Sequence, residues 1–219
     1  MDDDPEAETQ RLYWRHAWQA NPPVWIVRQN EAWRGSFKVR YWSPQWQDII
    51  YGGSDSRLAS ILRSGFDGVY LDNVDAYADL LPENPEARSQ MIAFVASLAR
   101  EARAKRPRFK IIVQGAEELL TDPVYLGVID GVAKEDLLFG IEGVGVRNRT
   151  ADIGHSVRHL HIARQHDKPV FIVEYLEPTA IENARNEIMR EGFIAYFAQH
   201  RRCLECGRED ATRPAAHSP

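Results

Sequence analysis

Acids gather where a parallel sheet would present them to a ligand. Asp72, with Asn73 and Asp75, follows the short apolar run Val69-Tyr70-Leu71. Gln114 and Glu117 follow a run beginning at Phe109, and Lys134-Glu135-Asp136 follow one ending at Ala133. Glu174-Tyr175 close the run from Pro169, and Gln199-His200 follow the last, from Phe193 to Phe197. Side chains beyond the carboxyl ends of parallel strands face the ligand crevice. One acid in such a place commonly caps the next helix. Acids at four of five strand ends point instead to a single rim. Two carboxylates on a rim suit glycosidic cleavage, one attacking or stabilising an oxocarbenium-like centre while the other moves the proton.

Competing chemistries find less support. His155, His159 and His161 share a helical segment without the downstream acid of a zinc helix, so a helix face is the reading. Cys203 and Cys206 form a single Cys-x-x-Cys with no second pair, and read as an incidental thiol pair. Gly143-Val144-Gly145 lacks the third glycine and preceding strand of a nucleotide loop, and no Gly-x-Ser-x-Gly elbow occurs. No metal or cofactor is expected. All six tryptophans lie within the first 46 residues, where most should pack a core edge. Trp42 and Trp46, nearest the first strand end, are the candidates for a flat indole surface beneath a pyranose ring.

Positioning these groups requires alternating strands and helices. Ser54/Asp55 should cap a helix running to Ser64, with Gly65 as its left-handed terminator and Asp67-Gly68 as the turn into a strand. Asn84-Pro85 should open a long helix whose Met91, Val95, Leu98 and Ala102 hold helical spacing. Strands are expected from about 68, 109, 128, 170 and 193, and helices over 152–166 and 178–191. Gly140 to Arg149 reads as a functional loop. The pattern is a parallel α/β sheet with right-handed crossovers. Five strands fall short of the eight of a closed barrel.

A chain of 219 residues with 44% apolar content suits one domain. We place it over residues 1–204, with 205–219 as a polar disordered tail. A net charge of −5 argues against nucleic acid or anionic membrane as the main partner and tolerates a cationic substrate. No apolar run is long enough for a transmembrane helix, and the acidic start Met1-Asp2-Asp3-Asp4-Pro5 is no signal peptide.

Several blocks resemble glycoside hydrolase family 114, the endo-α-1,4-polygalactosaminidase-like group. They are Glu6-Ala7-Glu8-x-x-Arg11-x-Tyr13-Trp14, Val39-x-Tyr41-Trp42-x-Pro44-x-Trp46-Gln47 and, most specifically, Gly65-Phe66-Asp67-Gly68-Val69-Tyr70-Leu71-Asp72. Gly131-Val132-x-x-Glu135-x-Leu137 and Gly192-Phe193-Ile194-x-Tyr196 continue the likeness to about Leu204. Pro5 and Gly115 depart from it. The resemblance implies a (β/α)8 TIM-barrel type fold, incomplete here because the chain would start after three βα units, and an activity often found outside the cytoplasm. Exposed strand edges would then let chains self-associate. It also implies retaining cleavage of α-1,4-linked galactosamine polysaccharide. Asp72 would be the nucleophile and Glu135 the acid/base, with carboxyl groups roughly 5–5.5 Å apart. Glu6, Glu8, Asp75 and Glu174 would bind hydroxyls or a cationic amine, Tyr41, Trp42 and Tyr175 would stack, and Arg11 would pair with rim acids. The alternative is an inactive remnant acting as a carbohydrate-binding or interaction module.

Overall fold

In the computed structural model, residues 15–29 and 36–198 are described. They fall into two compact units, one of residues 15–29, 36–113 and 122–129, the other of 114–121 and 130–198. Glu6, Glu8, Arg11, the cysteines and the expected tail lie outside the described residues.

The first unit opens with an antiparallel hairpin of β1 (Ile26–Gln29) and β2 (Phe37–Val39). Ion pairs Arg28–Glu83 and Lys38–Asp79 tie the hairpin to the turn and the short helix that precede the long helix. Trp25 is buried between Trp18, which meets it edge-on, and Trp46. Pro44 begins a helix, α1 (Pro44–Gln47), that widens into a π-turn over Asp48–Gly52. The next, α2 (Arg57–Arg63), is capped by Ser56, whose Oγ accepts from Ala59 N–H at 3.2 Å. That is one or two residues past the expected cap. Gly65 takes the left-handed φ of 87° that ends the helix, as its spacing requires.

The strand β3 (Gly68–Leu71) pairs in parallel with β4 (Lys110–Gln114), Gly68 opposite Lys110. A Cβ at Gly68 would lie 2.7 Å from the Lys110 carbonyl oxygen, so the close pairing needs glycine there. Between the strands run α3 (Tyr77–Leu80) and α4 (Ala87–Lys105). Asn84 does not cap α4 directly; its Oδ1 accepts from the N–H of Glu86, the N-cap residue two positions on. The helix buries Met91, Val95, Leu98 and Ala102, the expected stripe, together with Ile92 and Ala99. Each large apolar side chain so buried contributes about 1.5–3 kcal/mol. Asp122 then caps α5 (Pro123–Val128) by accepting from the N–H groups of Val124 and Tyr125. A strand starting at 128 was the expectation. The Asp-Pro cap instead carries helix through Val128.

The second unit is a βαβαβ succession: β5 (Gly131–Glu135), α6 (Thr150–Gln165), β6 (Val170–Tyr175), α7 (Pro178–Arg190) and β7 (Ile194–Ala198). The three strands are parallel, with Glu135 opposite Val173 and Val173 opposite Tyr196. Lys134 and Glu135 thus belong to β5 rather than following it. In the first unit β3 and β4 are neighbours, and in the second the strand order is β5-β6-β7, so within each unit of this α/β chain sequence neighbours are sheet neighbours. No helix among the described residues is long and apolar enough to cross a membrane.

Candidate functional site

Strand alternation sorts the acids of the second unit onto two faces. Side chains of a strand point alternately up and down, and residues paired across a parallel ladder point the same way. Glu135, Val173, Tyr175 and Tyr196 therefore share one face, while Lys134, Ile172 and Glu174 share the other. The hydrogen bonds agree. Tyr175 Oη donates to Glu135 Oε1 at 2.6 Å, fixing the carboxylate at the C-terminal end of β5 from the next strand.

The other face is closed and polar. Glu117, on the 3-10 turn over Glu117–Thr121, is buried and accepts from Ser156 Oγ on α6 at 2.6 Å. Lys134 Nζ lies 2.9 Å from the same carboxylate oxygen. Burial pushes the Glu117 carboxyl up, but the Lys134 ammonium and the hydrogen bonds together bring it below the usual value. Glu174 is 0% exposed. Its Oε1 accepts from Leu138 N–H at 2.6 Å, and burial, with the nearby Asp136 charge, lifts its carboxyl to about 7. Glu174 is therefore no contact for a substrate hydroxyl or amine, contrary to the expectation from its place at a strand end. Glu174 and Tyr175 are consecutive, and only one of the two can face the rim.

In the first unit, Asp72 is exposed one residue beyond β3, and its Oδ1 accepts from Asn73 N–H at 2.7 Å. Asn73 is left-handed, with φ 58°, which turns the chain sharply and leaves Asp75 exposed in the following turn. Tyr41 is 3% exposed and spends its hydroxyl on Ala87 O at 2.6 Å. Burial raises this phenol well above its ordinary range. Its ring supports Trp42 edge-on at 5.0 Å, and Trp42 itself is half-buried. Tyr175 is 8% exposed. Neither tyrosine ring offers a free face for stacking, so of the four expected platforms only Trp42 and Trp46, both half-buried, keep exposed surface.

Tyr196 was missed. It is 58% exposed, on the same face and register row as Glu135. Its signal was a phenol at an alternate position of the last strand. Among the described residues, no group of three or more His, Cys, Asp or Glu side chains could hold a metal ion.

The model of glycoside-hydrolase family GH114 matches residues 7–210, nearly the whole chain. The chain belongs to this family. It is 34% identical over 197 residues to a protein of Deinococcus radiodurans, covering 88% of this chain and 61% of that relative. It is 32% identical over 216 residues to protein MJ1477 of Methanocaldococcus jannaschii, covering 91% and 60%. The chain thus spans about three-fifths of the length of these curated relatives. Its fold is similar to that of the glycoside hydrolase domain of PelA from Pseudomonas aeruginosa, with a TM-score of 0.62 and 22% identity over 82% of this chain and 68% of that one. The fold of this GH114 chain is α/β, of the (β/α) barrel type.

Proposed function

We propose that the chain is a glycoside hydrolase that cleaves α-1,4-linked galactosamine-type polysaccharide with retention, using Asp72 and Glu135. The observation that carries this reading is the Glu135 carboxylate, held at the end of β5 by the Tyr175 hydroxyl within a chain of the GH114 family. In the first step Glu135, protonated, gives its proton to the glycosidic oxygen as the bond to the anomeric carbon breaks. The Asp72 carboxylate attacks that carbon and forms a glycosyl ester. In the second step Glu135, now ionised, takes a proton from water, which displaces Asp72 and frees the sugar.

Subsite groups follow from what is exposed. Asp75 is exposed beside Asp72, and a carboxylate there suits a sugar amine carrying positive charge, as does the net charge of −5. Trp42 supplies an apolar ring edge, and Tyr196 a second aromatic surface on the Glu135 face. Glu6, Glu8 and Arg11 complete the proposed polar contacts to hydroxyls and amine. Tyr41 and Tyr175 are supports rather than platforms in this reading.

The test is reducing-end release from an α-1,4-galactosamine polymer. Asp72→Asn and Glu135→Gln should each lose at least about 99% of turnover with unchanged circular dichroism. With Glu135→Gln and a substrate carrying a good leaving group, mass spectrometry should detect a glycosyl ester on Asp72. Polymer binding without bond cleavage by the wild-type chain would favour a carbohydrate-binding module instead.

A further inference from the structure

Behind Glu135, on the opposite face of the sheet, Glu174 holds the backbone that leaves β5. Its Oε1 accepts from Leu138 N–H, and its Oε2 is buried with no hydrogen-bond partner. A buried carboxyl oxygen left bare is costly, and an apolar side chain would avoid the cost while giving up the bond to Leu138. The bond has company. Asp136, at φ 53°, donates its N–H to Val173 O at 3.1 Å. The carbonyls of Asp136 and Leu137 both accept from Asn148 Nδ2, at 2.8 and 3.0 Å. Asn148 N–H donates to Leu138 O at 2.8 Å, and Asn148 Oδ1 accepts from Ile141 N–H at 3.0 Å. Asn148 is itself buried. Asn148 from the return of the loop thus holds Asp136, Leu137 and Leu138, and Glu174 from β6 holds Leu138 of the same turn.

A non-glycine residue in the left-handed region is held there by its surroundings. Here that residue immediately follows Glu135. Its dihedrals set where β5 stops, and the bonds around it hold the peptide that joins it to Glu135. The Tyr175 bond fixes the tip of the Glu135 side chain; the turn fixes its base.

We propose that Glu174 and Asn148 are positioning residues for Glu135: together they clamp the left-handed turn at Asp136–Leu138 and thereby hold the Glu135 carboxylate on the Tyr175 hydroxyl. The proposal rests on the reading of Glu135 as the proton-transferring group, and it assigns Glu174 a role at the back of the site rather than on its rim. Sub-ångström placement of a catalytic group is worth large rate factors, so loosening its base should appear in turnover before it appears in binding.

The test uses the full chain and three variants, Glu174→Gln, Glu174→Ala and Asn148→Ala, with two readouts. Crystal structures and amide exchange report the clamp whether or not the protein is an enzyme. In Glu174→Ala the Tyr175–Glu135 separation should open beyond about 3.5 Å. Exchange at Leu138 and Ile141 should rise about tenfold or more in both alanine variants, with β6 and α7 unchanged. Turnover of the galactosamine polymer should fall at least about tenfold in both, with KM within about twofold. Glu174→Gln keeps an acceptor for Leu138 and should restore both readouts to within about threefold of wild type. An intact Tyr175–Glu135 bond in either alanine variant overturns the proposal, as does unchanged kcat beside raised exchange. Should Glu174→Ala fail to fold, Asn148→Ala alone decides between these results. If the geometric readouts behave as expected while Glu135→Gln keeps wild-type turnover, the clamp stands and the assignment of Glu135 falls.

Discussion

Glu174→Gln should change how stability depends on pH, and by an amount the structure sets. The Glu174 carboxyl is pushed up to about 7 from an ordinary 4.5 by burial, with Asp136 adding to the rise. The backbone N–H groups of Leu138, Phe139 and Leu137 pull the other way without offsetting it. In the unfolded chain the same group ionises near 4.5. Below that pH it is neutral in both states, and its contribution to stability is fully present. As pH rises toward 7, the unfolded state loses the proton first and is stabilised by ionising in a way the folded state is not, so stability falls; above 7 the loss is constant. A displacement of this size corresponds to about 3 kcal/mol. Glutamine cannot ionise, so its variant lacks this slope. Whatever fixed cost its buried amide brings, about 1–3 kcal/mol, cancels when the two pH profiles are subtracted. Urea unfolding from about pH 4 to pH 8, followed by far-UV circular dichroism, measures the difference. Tryptophan fluorescence would mislead, because every tryptophan lies within the first 46 residues and Glu174 belongs to the other unit. The wild type should lose about 3 kcal/mol relative to the variant across that range. A difference that stays flat, or that moves in favour of the wild type as pH rises, refutes the reasoning.

Other outcomes follow from the same geometry. Lys134→Met leaves the buried Glu117 carboxylate without its cation and should cost about 3 kcal/mol at neutral pH by urea unfolding. Because Glu117 sits below its ordinary value, its contribution is present above about pH 4.5 and disappears as pH falls further, so the Lys134→Met deficit should shrink in acid. Tyr175→Phe removes the hydroxyl on Glu135 and should lower kcat about tenfold with KM little changed, measured by reducing-end release. Tyr196→Ala should raise KM about fivefold and leave kcat near wild type, the split expected of a stacking surface.

Much of the fold was legible because its signals are local. Gly-Phe-Asp-Gly-Val-Tyr-Leu-Asp contains a helix terminator, a turn and a short apolar strand, and the structure has Gly65 left-handed, β3 at Gly68–Leu71 and Asp72 just beyond it; the strand is half-buried with Tyr70 exposed, not the interior strand its apolar residues suggest. The stripe of α4 is equally plain at helical spacing. The start of β5 was misjudged because Val128 and Ile129 are as apolar as a strand, whereas the decisive residues, the Asp122-Pro123 cap, lie several positions upstream. The hairpin partner β2, three residues long, is too short to show any period. At the site, Glu135 was expected just past a strand ending at Ala133, and it is instead the last residue of β5. The division of labour at Glu174 and Tyr175 was not read correctly, although strand alternation bears directly on it: adjacent residues on one strand cannot both line a rim. What no spacing shows is that Tyr175 would use its hydroxyl on Glu135, or that Asn148 would reach back twelve residues to hold the turn after it.

The most direct measurement is turnover of an α-1,4-galactosamine polymer by the wild-type chain beside Glu135→Gln and Asp72→Asn, each verified as folded. We expect reducing ends to accumulate with the wild type and to be nearly absent with either variant. Equal release by wild type and Glu135→Gln would contradict the role given to that carboxylate.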